Sequence, residues 1–146
     1  MPYVETSIVI AAPPRAVYEL AKQQERFPEF MPDVESITVL ERRPDGMLTR
    51  WKTLVEEAPI EWTEDDRFDD ENLRIEYKLL EGDLDKFEGS WSFTESDGKT
   101  HVVLGVDYDF GVPTLAELIG PTLERKVREN SEMMLAALKR EAEVNA

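Results

Sequence analysis

The acidic run at residues 63–71 holds the side chains best suited to acid–base chemistry. Glu64 and Asp66 lie two residues apart in it, between Trp62 and Phe68. Strict alternation along a strand would turn both carboxyl groups toward the apolar side. A carboxyl group that faces an apolar cavity has a raised pKa and can act as an acid or a base on a ligand. Glu64 and Asp66 are therefore the candidate catalytic residues.

The same run has a second interpretation, as a solvated strand end that leads into a turn. A β-bulge between Trp62 and Phe68 would turn Glu64 and Asp66 out to water. We expect this arrangement, because a buried unpaired charge is costly. A Ca²⁺ or Mg²⁺ site is not expected, because the glycine and terminal glutamate of an EF-hand loop are missing from this run.

Other catalytic sets are limited by composition. The chain has no cysteine and a single histidine, His101. This excludes disulfides, cysteine nucleophiles, zinc sites built on cysteine or two histidines, and any Ser-His-Asp relay that does not use His101. His101 has the opposite parity to Val102 and Leu104, so we expect it to face solvent without a catalytic role. No metal or cofactor is expected, and the absence of an assembled catalytic set favours binding over catalysis.

Large aromatic side chains fall on the apolar parity of several predicted strands. Such rings facing one cavity would suit an apolar ligand with a polar head. Equally, they would simply fill the core beneath one large sheet. The aromatic residues in question are Trp51, Trp62, Tyr77, Trp91 and Tyr108.

Two polar residues, Asn130 and Ser131, interrupt the apolar stripe of the last segment between Val127 and Met134. On a buried face, an amide or hydroxyl must find a partner, and a ligand head group would supply one. We expect instead that the stripe rotates so that Asn130 and Ser131 lie at its edge.

The elements that position these residues follow from hydrophobic periodicity. Residues 3–11 alternate as a strand, and Pro13-Pro14 introduces a helix that is followed by a short helical piece at 25–30. Residues 34–110 alternate between five turn signals, which predicts a six-strand antiparallel meander. From Thr114 to about Ala142 the period becomes helical, with a kink or restart expected at Gly120-Pro121.

Length and charge bound the function. The 146 residues fit one domain, 1–146, and the formal net charge is −15, from 17 basic and 32 acidic residues. This charge disfavours nucleic acids and anionic membrane surfaces as partners. No apolar run reaches the roughly 18 residues that span a bilayer, and the N-terminus lacks the pattern of a secretion signal. A cytoplasmic protein without stable membrane insertion is expected.

Four stretches carry a resemblance to a known family: SIVIAAPPRAVYELA, FPEFMPDVESITVLER, LLEGDLDKFEGSWSFTE and VDYDFGVP. With the element order, they make the chain similar to the START-like (helix-grip, SRPBCC) superfamily, in particular its polyketide cyclase/dehydrase and coenzyme Q-binding branch. The resemblance implies an α+β fold: a curved antiparallel sheet of about seven strands around a long C-terminal helix, with two short helices after the first strand. It also implies a hydrophobic cavity between sheet and helix.

The function expected from this resemblance is a binding or carrier domain for a lipid, isoprenoid or polyketide-like molecule. The alternative is a cyclase/dehydratase-type enzyme that uses Glu64 or Asp66 as the cavity carboxylate. A third class, a module resembling ribosome-association toxins, is disfavoured by the negative charge. The expected ligand contacts are Phe27, Phe30, Trp51, Trp62, Ile75, Tyr77, Trp91, Tyr108, Leu123, Val127 and Asn130.

Overall fold

Seven antiparallel strands follow the alternating segments of the sequence. The structure, a computed structural model, describes residues 3–32, 34–55, 58–109 and 113–144, and the side chains of these ranges except those at 55, 58 and 113–123. The strands are β1 (Tyr3–Ile10), β2 (Val34–Arg43), β3 (Gly46–Val55), β4 (Ala58–Asp69), β5 (Arg74–Gly82), β6 (Lys86–Ser96) and β7 (Lys99–Asp109). The helices are α1 (Pro14–Lys22), α2 (Phe27–Phe30) after a 3-10 turn at Gln24–Arg26, and α3 (Pro113–Val144).

All seven strands form one sheet in the order β1-β7-β6-β5-β4-β3-β2. Strands β2 to β7 form a meander, because each pairs antiparallel with the next through a short connection. The connection between β6 and β7 uses Asp97 (φ 51°) and Gly98 (φ 80°), the left-handed conformations that a two-residue hairpin turn requires. The N-terminal strand β1 then adds to β7. The expected seven-strand antiparallel sheet is confirmed.

The long C-terminal helix packs its apolar stripe on the sheet. Leu135, Leu138 and Ala142, spaced by three and four residues, are buried on α3. The helix continues through Gly120 and Pro121, so it does not restart there, and a kink, the other expected outcome, stays a prediction. No helix in the described part of the chain has the length and apolar content needed to cross a bilayer.

The free edge of β1 is covered by polar side chains of α3. Arg128 Nη1 donates to the carbonyl oxygen of Glu5 at 3.2 Å, and Lys139 Nζ donates to that of Val9 at 3.1 Å. The amide of Ala11 donates to Glu143 Oε2 at 2.9 Å. Backbone groups that would otherwise stay unpaired at the sheet edge therefore have side-chain partners.

Candidate functional site

A cavity of about 80 Å³ lies between the inner face of the sheet and α3. Its wall comes from five strands, the β5–β6 connection and the middle of α3, so the meander and the helix are both needed to build it. The lining is mostly apolar. The lining residues are Trp51, Thr53, Ile60, Trp62, Glu64, Tyr77, Leu84, Phe87, Trp91, Leu104, Val106, Lys126, Val127, Asn130, Ser131 and Met134.

Aromatic rings form a continuous part of this wall. Trp51 and Trp62 are direct cross-strand neighbours on β3 and β4, and their rings stack at 5.5 Å with an interplanar angle of 13°. Phe87 on β6 contacts Trp62 at 5.0 Å and Tyr77 at 5.5 Å. Trp91 is the third tryptophan of the wall. Since the chain contains three tryptophans, every one of them lines the cavity.

The hydroxyl of Tyr77 is used inside the wall. It donates to the carbonyl oxygen of Gly105 at 2.7 Å, and burial raises its pKa well above the usual value. Gly89 is the register partner of Tyr77, and a Cβ at that position would lie 2.8 Å from the Tyr77 hydroxyl and 2.0 Å from the Gly105 oxygen. Glycine at 89 therefore makes room for the Tyr77 side chain, which presents its ring to the cavity.

The two candidate carboxyl groups are buried. Glu64 is 3% exposed and Asp66 is fully buried. Trp62 Nε1 donates to Glu64 Oε1 at 2.7 Å, and Thr49 Oγ1 donates to Asp66 Oδ2 at 2.6 Å. Trp51 Nε1 in turn donates to Thr49 Oγ1 at 3.0 Å. The stacked indoles and the carboxyl pair thus belong to one hydrogen-bonded network.

The surroundings of this pair favour its protonated forms. Burial raises the pKa of Glu64 well above the usual value, and the negative charge of Asp66 raises it further. Burial also raises the pKa of Asp66. Its hydrogen bonds with the Glu64 carboxyl and the Thr49 hydroxyl lower that pKa and offset part of the increase. Among the described residues, no lysine or arginine forms an ion pair with either group. Two adjacent buried carboxyl groups without a cation do not both ionise readily.

The expectation that Glu64 and Asp66 turn out to water is wrong. A register shift does occur here, since Thr63 pairs with Glu81 while Glu64 pairs with Leu79. The extra residue, Leu80, is on β5 and is exposed. Strand β4 therefore keeps its alternation. Burial of the pair is tolerated because neutral donors replace the lost water and the raised pKa values favour the uncharged forms.

Sequence similarity places the chain in a known family. A sequence model of the family described as "Polyketide cyclase / dehydrase and lipid transport" matches residues 10–135. The chain belongs to this family. It is 32% identical over 129 residues to the actinorhodin polyketide synthase bifunctional cyclase/dehydratase of Streptomyces coelicolor, a match that covers 87% of this chain and 40% of that protein. This chain therefore spans less than half the length of that relative.

Two further proteins are similar to this chain, one compared by sequence and the other by structure. The ribosome association toxin RatA of Pseudomonas aeruginosa is 26% identical over 125 residues, covering 82% of this chain and 83% of that protein. The crystal structure of TTHA0849 from Thermus thermophilus superposes with a TM-score of 0.95 at 32% identity, covering 99% of each chain. The START-like, helix-grip fold expected from the sequence is confirmed.

The cavity of this cyclase/dehydrase-family chain contains part of the expected contact set. Six of the expected residues line it: Trp51, Trp62, Tyr77, Trp91, Val127 and Asn130. Phe27, Phe30, Ile75 and Tyr108 are outside the lining. Phe27 is fully buried and contacts the rings of Trp51 at 5.9 Å and Trp91 at 6.2 Å, so it packs against the wall. The side chain of Leu123 lies outside the described residues.

The helix contributes more polar groups than expected. Ser131 is buried, so the expectation that it lies at the edge of the stripe is wrong. Asn130 is half-buried, as an edge position predicts, and both residues line the cavity. Lys126 was missed because only its neighbour Val127 belongs to the apolar stripe. Phe87 could have been predicted as a lining residue, since it shares the parity of Trp91 on β6. His101 is half-buried and does not line the cavity. Asp66 does not line it either, but it interacts with Glu64, which does.

Proposed function

We propose that this chain is a binding or carrier domain for an apolar small molecule, which it holds in the cavity between the sheet and α3. The observation that carries the proposal is the composition of the wall: all three tryptophans converge on a cavity that otherwise presents mainly aliphatic and aromatic side chains. Ligand sites typically combine such an apolar lining with a few placed polar groups.

The cavity is larger than a site for a single water molecule. A single water occupies roughly 10–15 Å³ in the same measure, against about 80 Å³ here. Met134 on the helix side adds an adaptable wall, because an unbranched thioether adjusts to ligands of different shape. Removing apolar ligand surface from water supplies the binding free energy, about 25 cal/mol per Å².

Tryptophan fluorescence tests the proposal directly, because the chain has no tryptophan outside the cavity wall. Titration with the neutral probe N-phenyl-1-naphthylamine is expected to quench the emission saturably. Trp91→Ala is expected to weaken binding roughly tenfold, since a lost ring contact removes apolar area worth about 1.4 kcal/mol. The exposed Arg74→Ala on β5 is the control and should leave the affinity unchanged. Absence of saturable quenching would contradict the proposal.

A second candidate function is a cyclase/dehydratase-type activity. The observation that favours it is Glu64, a buried carboxyl group at the cavity surface, in a chain 32% identical to a bifunctional cyclase/dehydratase. Closing a ring in a flexible poly-carbonyl chain requires orientation by a shaped cavity and a group that takes up and returns a proton. Glu64 would take up and return that proton, and the neighbouring Asp66 would adjust the pKa of Glu64.

The test is turnover of a soluble poly-β-carbonyl substrate, followed by the appearance of an aromatic chromophore. Glu64→Gln is expected to lower kcat by roughly 10²–10⁴, the usual contribution of a general acid or base. The matched control is Glu76→Gln, an exposed glutamate on the outer face of β5. Turnover that survives Glu64→Gln would exclude this activity for the pair and would leave the binding function in place.

A further inference from the structure

The carboxyl pair is the acidic part of a mostly apolar site. Glu64 and Asp66 lie on the same face of β4, and only the Glu64 carboxyl reaches the cavity surface. Among the described residues, the donors that reach the pair are neutral: the Trp62 indole, the Thr49 hydroxyl and the Gln24 amide. One carboxylate oxygen, Asp66 Oδ1, is buried without a hydrogen-bond partner among the described residues. This oxygen is therefore left without a donor.

The other groups that face the pair add no compensating charge next to it. Gln24, from the 3-10 turn, is buried beside Asp66 and is neutral. The Tyr77 hydroxyl is committed to the Gly105 carbonyl. Asp65, between the two carboxyl groups in sequence, points outward and pairs with Arg43. Of the described residues that line the cavity, the cationic one is Lys126, contributed from the α3 side.

We propose that the Glu64–Asp66 pair sets the ligand class, so that the cavity accepts neutral apolar molecules bearing a hydroxyl or carbonyl oxygen and rejects the corresponding carboxylates. This inference rests on the proposed function. A carboxylate brought into the cavity would lose its water, and once either carboxyl group of the pair is ionised it would be repelled strongly across the low-dielectric medium. A neutral oxygen can exchange a hydrogen bond with the Glu64 carboxyl, which is available as donor or acceptor.

The cation Lys126 favours the opposite preference, for the carboxylate ligand, and this is the competing outcome of the experiment. If its ammonium group dominated, the cavity would prefer the anionic ligand, because a partly desolvated cation attracts a carboxylate. The burial of Glu64 and Asp66 argues against this outcome. Both carboxyl groups are nearly inaccessible, whereas Lys126 is half-buried and screened by solvent.

Calorimetric titration at pH 7 with 2-naphthol and 2-naphthoate separates these outcomes, because the two ligands share a ring system and differ in charge. The full chain is expected to bind 2-naphthol at least tenfold more tightly. In Glu64→Gln/Asp66→Asn the preference is expected to shrink at least fivefold, since the amides keep the shape and the acceptors but remove the charge. Glu64→Gln alone serves as the second variant should the double variant fold poorly.

The matched control is Glu95→Gln/Asp97→Asn, which removes an exposed carboxyl pair of the same spacing at the β6–β7 turn. It should leave the preference unchanged. Equal affinities for both ligands, or a preference that persists in the folded double variant, would overturn the inference while leaving the binding function intact. Tighter binding of 2-naphthoate that Lys126→Met abolishes would overturn it too. If neither ligand binds, the proposed function fails and the inference fails with it.

Discussion

The two ends of the acidic run on β4 have opposite environments. At one end, Glu64 and Asp66 are buried against the cavity wall, and burial raises the pKa of both. At the other end, Asp69 and Asp70 are exposed. Hydrogen bonds from Asn72 lower the pKa of Asp69, and those from Tyr18 and Lys22 lower the pKa of Asp70. The distance between the two ends is only a few residues.

The contrast shows that partners, rather than composition, decide what a carboxyl group does. Tyr18 Oη donates to Asp70 Oδ1 at 2.6 Å and Lys22 Nζ does so at 2.9 Å, which anchors α1 to the β4–β5 turn. The buried end has neutral donors and, among the described residues, no paired cation. Asp70 is therefore a structural anion that favours folding when ionised, whereas Glu64 and Asp66 oppose folding when they ionise.

The largest effect is expected from removing the indole that covers Glu64. Trp62→Ala should lower the free energy of unfolding by about 3–5 kcal/mol, because it leaves a large void and removes the Nε1 donor. Chemical denaturation monitored by circular dichroism measures this loss.

The control for that substitution is Trp62→Phe, which keeps most of the ring and loses the donor. It should cost about 1–3 kcal/mol, the penalty for an unsatisfied buried acceptor. Equal losses for both variants would mean that the hydrogen bond to Glu64, and not the packing of the ring, carries the stability at this position.

Neutralising the buried end should stabilise the protein. Glu64→Gln/Asp66→Asn is expected to raise the free energy of unfolding at pH 8 by about 1–3 kcal/mol, since neutral groups of the same shape avoid the cost of burying ionised ones. A carboxyl group with a raised pKa in the folded state binds more protons there than in the unfolded state. Wild-type stability should therefore fall as pH rises from about 4, the ordinary carboxyl value.

The double variant should lack this fall, so that the two proteins differ least near pH 4 and most at pH 8. Urea denaturation at a series of pH values gives both curves. A double variant less stable than wild type at pH 8 would show that the ionised pair stabilises the fold.

The smallest effect is expected at the exposed end. Asp70→Asn should cost about 0.2–1 kcal/mol at pH 7, because the contact with Lys22 is partly exposed and screened by solvent. The pKa of Asp70 is lowered, so its contribution is present above about pH 4 and is lost as pH falls through the folded value. In thermal melts, the difference in melting temperature between variant and wild type should therefore be larger at pH 7 than at pH 3.

The sequence predicted the arrangement of elements well, because strand parity and helical periodicity are local properties. The parity that places Trp62 on the inner face also places Glu64 there, and β4 follows it. The outward turn expected for the pair failed because a bulge can form on either strand of a ladder. The bulge is at Leu80 on β5. The sequence of β4 alone contains no information about a bulge in the neighbouring strand.

The membership of the cavity wall depends on tertiary packing, which a parity argument does not contain. Phe27 has the right chemistry for a ligand contact, yet α2 packs its ring beside Trp51 and Trp91. Thr53 shares the parity of Trp51 but is polar, so an apolar pattern passes over it. Lys126 can be recognised as a lining residue only once the distance between helix and sheet is known.

The side chains of α3 that cover β1 have a consequence for association between molecules. An uncovered edge strand offers its backbone to any extended chain, and this is a common route to fibrils. Arg128 and Lys139 occupy the carbonyl oxygens of Glu5 and Val9 that an added strand would need. The helix that lines the cavity thus also covers the β1 edge of the sheet. Shortening it from the C-terminus, or exchanging both cations for alanine, should make the protein prone to aggregate through β1.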